Sequence, residues 1–132
     1  TTDLKQGLRD LTDGRGVDVV YDCVGGDYTE PALRSTAWMG RLLVVGFAAG
    51  SIPRIPLNLV LLKSCDIVGV FWGESARRSP RGHRENIETV LKWVAAGELK
   101  PHTHAVLPLA QTAEGIRMLD RREATGKVII TI

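Results

Sequence analysis

Residues able to do chemistry are few in this 132-residue sequence, and they gather at the ends of apolar runs. The first such end is Asp22-Cys23-Val24-Gly25-Gly26, which follows Val17-Asp18-Val19-Val20-Tyr21. Asp22 offers a carboxylate that can serve as an acid or base, or can cap the loop or helix after it; capping is the commoner use. The glycine pair lets a backbone come close to a bound molecule, although glycine also simply punctuates strand ends. Cys23 and Cys65 stand far apart, with no C-x-x-C and no His at metal-ligand spacing, so buried reduced thiols are expected of both. His102 and His104 lack a third ligand and read as a solvated pair, so no metal site is expected. Arg77, Arg78, Arg81 and Arg84 form a basic cluster that can attract phosphates or simply face water. No catalytic residue is assigned.

These groups need elements to position them. Thr2 or Asp3 can cap a first helix through Leu4, Leu8 and Leu11, which the turn Asp13-Gly14-Arg15-Gly16 ends. The run from Val17 reads as a strand buried on both faces, as in a parallel sheet. Asp27 or Thr29 caps a second helix with Pro31 in its first turn, Ala37 and Trp38 available for packing, and Gly40 closing it. Arg41–Phe47 is a second buried strand, with Ala48–Ser51 the loop at its end. A short apolar helix over 57–63 leads into a third strand, Asp66–Trp72. Strand, helix, strand, helix, strand with short links is a βαβαβ unit and implies a parallel sheet. Ser75–Arg84 reads as a polar, basic loop, followed by a helix from about Arg84 to Ala96 with Ile87, Val90, Leu91 and Val94 on one face. An extended edge segment through Pro108, a helix over 110–122 and a closing strand, Lys127–Ile132, finish the chain.

Bulk properties narrow the class. A composition of 44% hydrophobic and 24% charged residues indicates neither disorder nor a fibrous repeat. The net charge of +2 is too small to imply a nucleic-acid partner. No apolar run approaches the roughly 20 residues that cross a bilayer, so no membrane partner is expected, and reduced thiols suit a cytoplasmic protein. The opening Thr-Thr-Asp-Leu-Lys-Gln is neither a signal nor a transit peptide and lacks an initiator Met, which points to a piece of a longer chain.

Five segments in order resemble one family. They are Gly14-Arg15-Gly16-Val17 through Gly26, Gly40-Arg41-Leu42-Leu43-Val44-Val45-Gly46-Phe47, Ile67-Val68-Gly69-Val70-Phe71-Trp72-Gly73, Gly97-Glu98-Leu99-Lys100-Pro101, and Ala124-Thr125-Gly126-Lys127-Val128. In this order and spacing the sequence resembles the medium-chain dehydrogenase/reductases, in the quinone oxidoreductase (zeta-crystallin-like) branch. The resemblance implies an α/β fold: a partial Rossmann unit, the second half of a doubly wound parallel sheet, with a C-terminal helix-strand tail. Residues 1–97 would be the sheet half and 98–132 the tail that returns to a catalytic domain in longer relatives. G-x-G-x-x-G is absent, and the phosphate loop would lie upstream.

By the same resemblance three strand ends line the nicotinamide half of an NADPH site. They are Cys23, Val24, Gly25 and Gly26; Val45, Gly46, Phe47 and Ala48; and Val70, Phe71 and Trp72. Such a ring needs an apolar wall and backbone groups for its carboxamide. The implied activity is zinc-independent hydride transfer from NADPH to a quinone or activated alkene, in a homodimer joined through the last sheet strand. Two alternatives remain: an α/β binding or assembly module without catalysis, and, more weakly, a methyltransferase-like domain.

Overall fold

The computed structural model describes residues 3–132; Thr1 and Thr2, and with them the reading of Thr2 as a cap, lie outside the described residues. The described chain divides into two compact units, one ending at Glu74 and the other Ser75–Ile132.

The first unit opens with helix α1, Leu4–Asp10. The Asp3 carboxylate caps it by accepting from the backbone N–H of Lys5 at 2.9 Å and of Gln6 at 3.3 Å. Strand β1, Val17–Asp22, follows, and a 3-10 turn over Gly26–Tyr28 leads into α2, Thr29–Arg34. Strand β2 spans Thr36–Val44, α3 spans Asn58–Lys63 and β3 spans Asp66–Gly69. The sheet order is β1-β2-β3, and both pairings are parallel, as the βαβαβ pattern requires.

The α2 to β2 transition departs from expectation. The helix stops at Arg34, and Ala37, Trp38 and Gly40 belong to β2. Two hydroxyls end the helix: Ser35 Oγ donates to the Pro31 carbonyl at 2.9 Å, and Thr36 Oγ1 to the Ala32 carbonyl at 3.2 Å. Strand β2 then bulges, because Val17 pairs with Thr36 but Val19 pairs with Arg41. Met39 takes φ +58 in the bulge. Gly40 is there for space: a Cβ would stand 2.6 Å from Thr36 Cγ2 and 2.9 Å from the Asp18 carbonyl oxygen. Neither Asp27 nor Thr29 caps α2; Thr29 is its first residue, and its hydroxyl is turned back toward Asp22.

The core lies on one face of the sheet. Leu42 packs with Ala32 and Leu33 of α2, Leu59 of α3 and Cys65, with Val20 and Val44 alongside. Leu33 and Leu42 are fully buried. The register places Tyr21, Leu43 and Val68 in a row across the opposite face. That face is open, with Val19 56% and Tyr21 67% exposed. The expectation of strands buried on both faces is therefore corrected: among the described residues of the first unit, α2 and α3 pack on one side of this sheet and Val19 and Tyr21 are exposed on the other.

Strand β3 ends three residues before its expected limit. Trp72 begins helix α4, Trp72–Arg78, and Pro80 begins α5, Pro80–Ala95. The expected loop over 75–84 is thus helical. Its overlooked signal is Ser79-Pro80, a proline at the first helical position, supported by an Arg81–Glu85 pair one turn apart at 2.9 Å. In the second unit β4, Thr103–Pro108, pairs in parallel with β5, Lys127–Thr131, across helix α6, Thr112–Asp120. Gly115 lets α6 sit close to both strands, since a Cβ there would lie 3.1 Å from Val128 Cγ1 and 3.4 Å from Leu107 Cδ1.

Two glycines of the sheet make contrasting predictions. Gly40→Ala meets backbone and should lower unfolding stability by about 1–3 kcal/mol. Gly69→Ala, where no atom lies within 4 Å of an added Cβ, should stay within about 0.5 kcal/mol of the parent. Urea unfolding followed by far-UV circular dichroism checks both, and equal effects would contradict the packing assigned to the bulge.

Candidate functional site at the strand ends

The carboxyl ends of β1, β2 and β3 point the same way, because the strands are parallel and neighbours in the sheet. Asp22 closes β1 and is buried, with 8% of its surface exposed. One carboxylate oxygen accepts from the N–H groups of Val24 at 2.9 Å and Gly25 at 2.8 Å, and the other from the Thr29 hydroxyl at 2.6 Å. Burial pushes this carboxyl up, but the bonds from Gly25, Thr29 and Val24 together outweigh it and hold it below the ordinary aspartate range. Asp22 is thus an ionised anchor with both oxygens engaged, which agrees with the capping role.

The anchor fixes the turn after it. Gly25 has φ +71 and ψ −150, a conformation essentially confined to glycine. An added Cβ would lie 2.7 Å from Phe47 Cδ1 and 3.3 Å from Phe47 Cα. The loops after β1 and β2 are stitched by backbone hydrogen bonds. Val45 N–H donates to the Asp22 carbonyl at 2.9 Å, Ala48 N–H to Cys23 at 3.2 Å, Ala49 N–H to Val24 at 2.8 Å, and Gly26 N–H to Ser51 at 3.1 Å. Val70 N–H donates to the Val44 carbonyl at 2.9 Å and so carries the third strand end alongside the second.

The result is an open apolar groove of about 380 Å³ lined by Val44, Val45, Phe47, Gly69, Val70 and Phe71. Of the residues singled out in the sequence, Val45, Phe47, Val70 and Phe71 line it together. Gly25 packs on the back of Phe47, and Gly46 approaches the Cys23 carbonyl, 3.4 Å from a Cβ position. Cys23, Val24 and Ala48 contribute backbone to the stitching, and Gly26 opens instead onto a neighbouring hollow with Asp27, Glu30 and Ser51. Trp72 does not line the groove. It stands on α4 and is 63% exposed, and Phe71 is 78% exposed, so neither lies on a strand. Cys23 is exposed rather than buried, while Cys65 is buried as expected; both are free thiols. Thr29 and Ser51 complete the site and were not read from the sequence. Thr29, seven residues beyond its acceptor, offers no local spacing signal.

A parallel α/β unit with a groove at its strand ends is a Rossmann-like arrangement, and this one matches the NAD(P)-binding half of medium-chain dehydrogenase/reductase structures. The chain belongs to the zinc-binding dehydrogenase family, whose model matches residues 1–130. It is similar to the quinone oxidoreductase-like protein 2 homolog of Nematostella vectensis, 39% identical over 128 residues, covering 96% of this chain and 35% of that protein. Among solved structures it is similar to an NAD-dependent alcohol dehydrogenase (32% identity, TM-score 0.78, 100% of this chain and 36% of that one). It is likewise similar to a quinone oxidoreductase of Pseudomonas syringae pv. tomato (26% identity, TM-score 0.81, 99% and 40%). The chain therefore spans little more than a third of the length of the relatives it matches.

The family description speaks of zinc. Among the described residues no three His, Cys, Asp or Glu side chains are placed to hold a metal ion. His102 Nε2 and His104 Nδ1 both approach the Thr125 hydroxyl, at 3.4 and 3.5 Å, without a further donor group of that kind. The described residues do not fit a zinc site.

Asp22→Asn should cost about 1–3 kcal/mol of unfolding free energy at pH 7, through loss of hydrogen bonds to a charged acceptor. Because the folded carboxyl titrates below its unfolded value of about 3.9, its contribution is full above that value and is lost as pH falls through the folded one. Acid titration of stability should therefore be less steep below about pH 4 in the variant than in the parent. Parallel acid limbs for the two proteins would remove Asp22 as the anchor.

Proposed function

We propose that this chain is the nicotinamide-side part of an NADPH-dependent oxidoreductase of the quinone reductase type. The observation that carries the reading is the apolar groove at the joined strand ends, with Gly25 pressed against Phe47 behind it. The bound cofactor would supply hydride to a quinone or activated alkene. The chain's residues would bind and orient it: Val45, Phe47, Val70 and Phe71 as an apolar wall, and the backbone around Gly46 as the partner of the carboxamide. Excluding water from that face is the rest of their part. None of the roles given to these residues is routed through zinc. The relatives named for quinone oxidoreduction support the acceptor class.

The same reading assigns residues 98–132 to a tail that returns to a catalytic domain, in a cytoplasmic homodimer. Two copies would pair through β3, an edge of the sheet among the described residues, beside the exposed Phe71. Edges and open apolar faces invite such pairing.

A pyrophosphate-cradling glycine loop is absent from this chain, so NADPH should bind it weakly. Calorimetry should give a dissociation constant weaker than the low micromolar range, and NMR at millimolar NADPH should shift the amides of Gly25, Gly46, Phe47 and Val70. Shifts confined to other residues would overturn the site, and low-micromolar binding would overturn its partial character. Sedimentation at high concentration should show self-association; a clean monomer would count against pairing through the strand edges.

A further inference from the structure

At the other end of the strands the first unit holds a hollow of about 270 Å³. Gly16, just before β1, and Thr36, at the start of β2, lie in its wall. Five cationic side chains line it, Lys5 and Arg9 from α1, Arg15 from the turn before β1, Arg34 from α2 and Lys63 from α3, and no carboxylate does. We propose that this hollow is an anion site for a diphosphate-type group, separate from the groove at the carboxyl ends.

Three of the cations are already held. Arg15 is paired with Asp18 through both terminal nitrogens, and Arg34 makes two bonds to Glu30. Lys63 Nζ donates to the Thr36 carbonyl at 2.7 Å, which fixes its position while leaving two N–H groups unassigned. These three form a preset wall. The charged ends of Lys5 and Arg9 make no hydrogen bond or ion pair among the described residues, and they stand one turn apart on α1. Like charges at that spacing disfavour a helix; a bound anion converts that repulsion into attraction. The turn backbone offers little: Gly14 N–H is bonded to the Arg9 carbonyl and Gly16 N–H to the Thr12 hydroxyl. Recognition therefore falls to the side chains, which makes it electrostatic and salt-dependent.

The volume admits more than one phosphate group. It equals the liquid-volume share of roughly nine waters, room for two linked phosphate groups. A diphosphate carries more charge than a single phosphate and presents it at two ends, to cations that arrive from three helices and a turn. Free pyrophosphate and the diphosphate of a nucleotide share this chemistry.

The test is NMR titration of the intact protein with inorganic pyrophosphate, with orthophosphate and ADP as parallel arms, at 20 and 200 mM salt. Saturable shifts should centre on residues 5–16 and 34–36, and pyrophosphate should bind at least about tenfold more tightly than orthophosphate. Affinity should fall about tenfold between the two salt concentrations. ADP matching pyrophosphate would assign the nucleotide as a source, and ADP failing would assign the free anion. Lys5→Glu with Arg9→Glu should weaken binding by about tenfold or more, and the neutral Lys5→Gln, Arg9→Gln pair severalfold, with unchanged circular dichroism. Lys92→Glu with Lys100→Glu, an equal charge change elsewhere, should leave it unaltered. Shifts scattered over the surface, or equal weakening by the distant pair, would overturn the site. NADPH shifts at Gly25 and Phe47 belong to the other end of the strands and decide a separate question.

Discussion

The arrangement of the strand ends depends on one buried carboxylate. Putting an ionised aspartate where water scarcely reaches costs several kcal/mol unless its lone pairs are met. Asp22 meets that condition with two backbone N–H groups of the following turn and the first side chain of α2. Those bonds impose the backbone that only Gly25 tolerates, Gly25 sets the approach of Phe47, and Phe47 is a wall of the groove. A carboxylate whose commoner reading in the sequence is a cap thus acts by geometry.

The sheet above this anchor is covered unevenly. Leu42, Val20 and Val44 meet α2 and α3, whereas Tyr21, Leu43 and Val68 form an apolar row on the opposite face of the first unit's sheet. Strands with apolar residues on both sides belong to sheets covered on both sides.

Period and punctuation made most of the fold legible. Val17–Asp22, Arg41–Val44 and Asp66–Gly69 are short β-branched or leucine-rich runs between turn residues, and their parallel order follows from the helices between them. The errors have local causes. Gly40 read as a helix stop because glycine usually is one, but its role depends on Thr36 Cγ2 and the Asp18 carbonyl, which no sequence window joins. The stretch 75–84 read as a loop because its charges hid the helix start at Pro80. Apolar runs look the same whether one or both faces are covered, so the open face was invisible. Within the site, strand-end residues could be named from sequence order, whereas the Asp22–Thr29 bond closes across a turn whose shape had first to be known.

The bulge in β2 has a consequence for how this chain can change. Pairing alternates sides every residue, so one added residue in a regular strand turns every later side chain to the wrong face. Between Thr36 and Arg41 the ladder is already interrupted, with Trp38 and Met39 on the surface. A length change at that tip need not reverse the inward aim of Leu42. The bulge is therefore a hinge in evolutionary bookkeeping, a spot where insertions and deletions can accumulate while the core keeps its phase.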